Sequence, residues 1–193
     1  AAAKKIETDI SIFLQLTKAP IIAVTGSKGK SSTVSALHYG FKALGYESFL
    51  GGNITVSPLT FWDKVTETTP VVLELSSFQL NDLRGCDFFK PCITIVTPIV
   101  ADHQNWYENM EAYVADKKVI YKNQAAGDFT ICNADQTQGI EFARETNATV
   151  GFYSARKKCL TNCTSLFPNA PRVYFTDEGN GVVNNAGEET LLL

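Results

Sequence analysis

The stretch Ile21–Thr33, IIAVTGSKGKSST, decides how the rest of the chain is read. Ile21–Val24 is apolar and mostly β-branched, the composition of a fully buried strand. A tight turn with Gly26 and Gly29 follows, and Lys30, Ser31 and Ser32 open a helix. A buried strand running into a glycine turn and a helix N-terminus makes a phosphate cradle. Backbone N–H groups point at anionic oxygens, and the helix dipole adds a partial positive charge. Lys30 brings a full charge to the terminal phosphates, and Ser31 or Ser32 brings a hydroxyl for Mg²⁺. The nucleotide-binding candidates are therefore Thr25, Gly26, Ser27, Lys28, Gly29, Lys30, Ser31 and Ser32. The general Walker pattern has a further glycine where this chain has Val24. The loop is a shortened variant, and the rest of the chain has to say which one.

The 193 residues suffice for one sizeable domain with a real core. The net charge of −3 argues against a protein that holds nucleic acid by bulk charge. No apolar run is long enough to span a membrane, and no signal peptide is visible. The chain has 5 cysteines, an odd number without a C-x-x-C pair, which points to reduced thiols in a cytoplasm. Cys159 and Cys163 are close together, but neither histidine is near them, so they read as structural thiols.

Ile10, Phe13, Leu14 and Leu16 suggest a short amphipathic helix ahead of the cradle. Ala1–Ala3 read as residues added to the natural chain. After Lys30 a helix is expected to about Leu44, with Val34, Leu37, Phe41 and Leu44 on one stripe and Gly45 as its stop. His38 lies beside that stripe and reads as a packed or surface histidine. Tyr46–Leu50 reads as a second strand, ending at Gly51–Ile54, GGNI, where glycines allow a close backbone approach to a ligand. Asn53 taken alone reads as a turn former.

Pro70–Leu75, PVVLEL, is another buried-type strand, and it carries Glu74 near its carboxyl end. A charge there is costly unless paired or bound to a metal. In a parallel sheet that end faces the ligand crevice. Beside a phosphate cradle, Glu74 is placed to hold Mg²⁺. Ser76, Ser77, Phe78 and Gln79 come next. Pro91–Val96 is a fourth strand, followed by a loop with Asp102 and His103. Glu108–Asn123 reads as a helix with Met110, Tyr113, Val114 and Tyr121 on one side. Lys117 falls in the middle of that stripe, either snorkelling or functional. Lys118 lies on the flank, and Val119 is an apolar misfit on the far side. Phe129–Asn133, Thr137–Glu145 and Thr149–Phe152 continue as strand, helix, strand. After Ser154 the pattern weakens to small strands at Arg172–Phe175, Gly181–Val183 and Leu191–Leu193. The alternation predicts an α/β fold, a mostly parallel sheet with helices on both faces and a small β extension at the end.

TGSKGKSS, GGNI, ELSSFQL and DH followed by Tyr113–Lys117, in this order, resemble the central ATP-binding domain of the Mur ligases. ELSSFQL with GGNI is most similar to the D-glutamate-adding branch. The resemblance covers roughly 19–152. It implies a P-loop NTPase-like central domain at 19–193 and a lead-in at 1–18 from an N-terminal UDP-binding domain. The C-terminal domain that binds the amino acid is not expected in this chain, which reads as an excised central domain.

The resemblance also implies roles. Lys30 would contact the β- and γ-phosphates, Ser31 and Glu74 would hold the Mg²⁺ of ATP, and His103 would hold a second Mg²⁺. Lys117 would be carbamylated by CO₂ and act at the metal as a carbamate. Asn53, Ser76, Ser77, Gln79 and His103 would face the muramoyl-alanine substrate. Lys30, Glu74, His103 and Lys117 are then the catalytic set. The family usually has Asn in the stretch where this chain has Thr97-Pro98, and Lys28 adds a charge near phosphate. The activity implied is ATP-dependent joining of D-glutamate to UDP-N-acetylmuramoyl-L-alanine in the bacterial cytoplasm. A monomer is expected, with no nucleic acid or membrane partner, and the chain alone is expected to be inactive. The competing readings are another Mur ligase or folylpolyglutamate synthase, a nucleotide-binding module without amide chemistry, and a structural fragment without nucleotide affinity.

Overall fold

A computed structural model describes residues 7–103 and 105–192. In chain order the elements are α1 (Asp9–Leu16), β1 (Ile21–Thr25), α2 (Lys30–Ala43), β2 (Phe49–Gly52), β3 (Val71–Glu74), α3 (Ser77–Asp82) and β4 (Ile93–Val96). There follow α4 (Met110–Lys117), β5 (Phe129–Asn133), α5 (Thr137–Glu145), β6 (Thr149–Ser154), α6 (Thr161–Leu166), β7 (Arg172–Phe175), β8 (Gly181–Asn185) and β9 (Glu188–Leu191). All strands join one sheet in the order β2-β3-β1-β4-β5-β6-β7-β8-β9. Pairing is parallel from β2 to β7, and β8 and β9 add an antiparallel hairpin at the edge. This is the expected mostly parallel sheet with a β extension. The reading of Ala1–Ala3 and the last residue of the expected strand Leu191–Leu193 lie outside the described residues.

Alternation along β1 sorts the core into two layers. Ile21 and Ala23 face one side with α1, α3, α4 and α5, where Phe13, Leu80, Tyr113 and Phe142 are buried. Ile22 and Val24 face the other side with Val72, Ile95 and Val34 of α2. α2 packs on β1, β2 and β3. On that same side, further along the sheet, Phe129, Val173, Phe175 and Leu192 are 44%, 43%, 53% and 53% exposed. The sheet is therefore helix-covered on both faces at its β1–β4 end and on one face beyond it.

Local chemistry explains where boundaries differ from the sequence reading. At the end of α2 the Gly45 N–H bonds Lys42 O and the Tyr46 N–H bonds Phe41 O, with Gly45 at φ +80°. This is a Schellman closure. It uses up residues 44–46, so Leu44 leaves the stripe and is exposed, and the second strand starts at Phe49 rather than Tyr46. Leu16 is exposed as well, two positions past Leu14 and so about 200° around the helix from it. The helix expected over 108–123 is α-helical only over Met110–Lys117 and tightens to a 3₁₀ turn at Lys118–Tyr121. The change from 3.6 to 3 residues per turn carries Val119 inward, where it is buried and no misfit. α6, TNCTSL, has no apolar stripe and was not expected; it is anchored by the buried Cys163.

Candidate nucleotide and metal site

The site is built at the carboxyl ends of β1, β3 and β4. The register sets Val24 beside Glu74, Gly52 beside Glu74, and Thr25 beside Val96. The Thr25 hydroxyl donates to Leu75 O at 2.8 Å, fixing the end of β1 against β3. The cradle then turns sharply at Gly26, φ +142°, where a Cβ would stand 1.9 Å from Thr97 Oγ1. Only glycine passes there.

The loop after β4 supports the cradle. Pro98 O accepts the Ser27 N–H at 2.9 Å and the Lys28 N–H at 3.4 Å, and the Thr97 hydroxyl donates to Thr25 O at 3.1 Å. Thr97 and Pro98 thus brace the cradle, one by its hydroxyl and the other by its carbonyl. The first intrahelical bond of α2 runs from the Thr33 N–H to Gly29 O. The N–H groups of Lys30, Ser31 and Ser32 precede it and have no carbonyl within the helix to bond, the arrangement that suits an anion. Ser31 and Ser32 are exposed. Ser27 behaves differently from its neighbours: its side chain is buried and turned inward, donating to Val100 O at 2.9 Å.

Two lysines meet on one carbonyl. Lys30 Nζ donates to Gly26 O at 3.1 Å and Ser27 O at 3.2 Å. Lys117 Nζ donates to the same Gly26 O at 2.9 Å and lies 4.4 Å from the centre of the Tyr113 ring. Lys117 is 2% exposed, so it does not snorkel. Burial, and then the Lys30 charge, lower its pKa from 10.5 to about 7, against the opposing pull of Asp102 and Asp116. Lys118, on the flank, pairs with Glu145 at 2.7 Å.

Glu74 is also 2% exposed and so is no surface ion pair. Asn53 Nδ2 donates to its Oε1 at 2.8 Å, while its Oε2 is buried without a partner. Asn53 is therefore more than a turn former: it orients the acid. Gly52, at φ +98°, lets the backbone pass Glu74 O, where a Cβ would come within 2.2 Å. The close approach expected of GGNI is made to β3, the strand that carries the acid.

A carboxylate oxygen buried without a donor is expensive. A hard cation is what it lacks, so Glu74 fits Mg²⁺ as an oxygen ligand. Among the described residues, no three His, Cys, Asp or Glu side chains converge as a metal cage. Mg²⁺ at a nucleotide takes only one or two protein oxygens and completes its shell with phosphates and water.

His103 stands on the loop after β4 in the left-handed region, φ +53°, its N–H bonded to Asp102 Oδ1 at 3.0 Å. Its ring meets the edge of Phe78 at 5.2 Å. Asp102 also faces Lys28 Nζ at 3.9 Å. Ser76 and Gln79 close a capping box at the start of α3: Ser76 Oγ accepts the Gln79 N–H, and Gln79 Oε1 accepts the Ser76 N–H. Ser77 is buried. The sequence reading missed the brace at Pro98, the inward Ser27, and Tyr113, which stands four residues before Lys117 on the same stripe. It also missed the pair that holds α4, with Asp116 taking Arg84 Nη2 at 2.5 Å and the Tyr107 hydroxyl at 2.9 Å.

Residues 24–183 match the Mur ligase middle domain. This chain belongs to the Mur ligase family. It is 52% identical over 179 residues to a UDP-N-acetylmuramoylalanine–D-glutamate ligase of Treponema pallidum (strain Nichols), covering 86% of the chain and 34% of that protein. It is 43% identical over 176 residues to the like-named ligase of Borreliella afzelii (strain PKo), covering 91% of the chain and 38% of that protein. The chain thus spans about a third of these curated relatives, the part of a Mur ligase that the middle domain occupies. Among solved structures it is similar to MurF from Acinetobacter baumannii, with a TM-score of 0.66 and 14% identity over 95% of the chain and 40% of MurF. It is also similar to Escherichia coli FolC solved with DHPP and ADP, with a TM-score of 0.60 and 15% identity over 97% of the chain and 53% of FolC. At such identities these two likenesses show the Mur ligase fold alone.

Proposed function

We propose that this Mur ligase domain is the ATP-binding centre of a full-length, cytoplasmic ligase that joins D-glutamate to UDP-N-acetylmuramoyl-L-alanine. The observation that carries the reading is Lys30 and Lys117 meeting on Gly26 O, with the unpartnered Glu74 Oε2 at the carboxyl end of the neighbouring strand. The names of the relatives supply the substrates.

The reaction must bring two anions together, the alanine carboxylate and the ATP triphosphate. The γ-phosphoryl passes to the carboxylate, the resulting acyl phosphate is attacked by the D-glutamate amine, and phosphate leaves. The work of the chain is alignment and charge neutralisation. Lys30 leaves its parking place on Gly26 O and Ser27 O for the terminal phosphates, and the N–H groups of Lys30–Ser32 hold them. Glu74 and Ser31 would hold the Mg²⁺ of ATP. His103 and carbamylated Lys117 would hold a second Mg²⁺. When bound, Mg²⁺ neutralises charge between the two anions. The lowered pKa of Lys117 leaves a large neutral fraction at pH 7, and a neutral amine is what CO₂ requires: the amine bonds the carbon and releases a proton, leaving a carbamate. Asn53 keeps Glu74 oriented, and Ser76, Ser77, Gln79 and His103 would be the residues nearest the muramoyl substrate. The isolated domain lacks the contacts of the rest of the ligase and forms no amide.

Calorimetric titration with a non-hydrolysable ATP analogue tests this, with and without Mg²⁺. Binding that strengthens with Mg²⁺, and loses that gain in Glu74→Gln, is expected. Binding indifferent to Mg²⁺ overturns the Glu74 assignment. Amide formation by this chain alone overturns the reading that the domain is inactive by itself.

A further inference from the structure

Tyr113 has no part in the mechanism above, yet it is 1% exposed and touches three pieces of the site. Its hydroxyl lies 2.9 Å from Ser27 Oγ, its ring lies under Lys117 Nζ at 4.4 Å, and its ring centre is 6.3 Å from that of His103. Ser27 shows why a hydroxyl is needed. Its own O–H donates to Val100 O, and its oxygen accepts the Val100 N–H at 3.0 Å. One lone pair remains, and the Tyr113 O–H fills it.

The result is a two-point clamp. Tyr113 and Lys117 stand four residues apart on α4 and so share a face. They grip consecutive residues of the cradle, Lys117 at Gly26 O and Tyr113 at Ser27 Oγ. Asp116 ties α4 to Arg84 and Tyr107, and the two contacts one turn apart set how the helix meets the cradle. We propose that Tyr113 is a positioning residue that locks Lys117 against the phosphate cradle, its hydroxyl holding the helix and its ring holding the amine. The metal part of this proposal rests on the function proposed above.

The test uses Tyr113→Phe, which removes one oxygen and keeps the ring, Ser27→Ala, which removes the other side of the contact, and the double variant. Two readouts are taken on the folded chain in CO₂-free buffer. The first is labelling of Lys117 by reductive methylation, read by peptide mass spectrometry. The second is the affinity for the ATP analogue with and without Mg²⁺, repeated with bicarbonate present. Either single variant is expected to speed Lys117 labelling about fivefold, the equivalent of one hydrogen bond, and the double variant to add little more. With bicarbonate and Mg²⁺ the affinity of Tyr113→Phe is expected to fall by a similar factor, and without Mg²⁺ to stay unchanged. Wild-type labelling in both single variants overturns the proposal. So does a loss of affinity that is the same with and without Mg²⁺, which marks a role in packing alone. If the wild-type chain gains nothing from Mg²⁺, the proposed function falls, and the labelling rates still decide whether Tyr113 holds Lys117.

Discussion

The sheet has two unlike halves. From β2 to β4 it is covered on both faces, and its strands read as unbroken apolar runs such as IIAV and VVL. From β5 to β9 one face carries α5 and α6 while the other shows Phe129, Val173, Phe175 and Leu192 to solvent. The halves also treat buried polar groups differently. In the second half such groups find partners close by, save Arg172 Nε, which is buried without one. Ser154 bonds Asp135, and Gln124 bridges Thr130 and Pro91 O. Arg172 donates to Phe167 O and Pro168 O at the C-terminal end of α6, where a cation is favoured. In the first half, Glu74 keeps a bare oxygen and two ammonium groups share one carbonyl. Arg172 keeps two bonds through its Nη2, whereas the bare oxygen of Glu74 belongs to a buried carboxylate, which on the proposed function is met by charge arriving from outside.

The sharpest way to break this contrast is to remove a charge from the first half. Lys30→Ala in the full-length ligase is expected to lower kcat by about 10³-fold or more, since on the proposed function the lysine meets phosphates whose charge it neutralises. Lys158→Ala, a like change in the second half, is expected to leave kcat within about twofold. Steady-state assays of both decide it; near-normal turnover by Lys30→Ala would remove the cradle from the mechanism.

Lys117 allows the same contrast to be measured as stability. Its folded pKa of about 7 is below the 10.5 of the unfolded chain. Between these values the unfolded chain binds the extra proton, so stability rises with pH across that window. Below pH 7 the buried ammonium costs its full amount. Lys117→Met, of similar length and without charge, is therefore expected to be more stable than the wild type by about 2–4 kcal/mol at pH 6. By pH 9 that advantage is expected to shrink by about 2.7 kcal/mol. Urea denaturation at the two pH values checks it, and an advantage independent of pH would place the ammonium in solvent.

How legible each half was in the sequence follows from the same difference. β1 and β3, buried on both sides, announce themselves by composition, and the fixed order strand, glycine turn, lysine, helix located the cradle. Lys117 was visible as a charge on an apolar stripe. What escaped was carried by backbone atoms and by changes of helical pitch. Pro98 braces the cradle through its carbonyl, which any residue possesses. Val119 turns inward because α4 tightens, and nothing in its identity says so. Ser76 and Gln79 carry the S-x-x-Q spacing of a capping box, a signal that was present and was read only as a substrate-facing turn. In the second half, α6 is too short and too polar for its period to register.

The smallest expected effects test whether the open face matters to the fold at all. Val34→Ala removes two methyl groups from a site with no exposure between α2 and the sheet, and is expected to cost about 2 kcal/mol. Val173→Ala removes the same atoms from the same side of the same sheet, where Val173 is 43% exposed. Little water was excluded there and no packed cavity is left behind, so the expected cost is about 0.5 kcal/mol, most of it β-propensity. Phe175→Ser, at 53% exposure, is expected to change stability by no more than about 0.5 kcal/mol while raising the solubility limit, because it breaks the apolar patch. Urea midpoints for the three variants give the comparison directly. A cost for Val173→Ala equal to that of Val34→Ala would mean that the face is closed in solution, either by more of the polypeptide or by a second copy. Dilution separates these, since only closure by a second copy makes the midpoint depend on protein concentration.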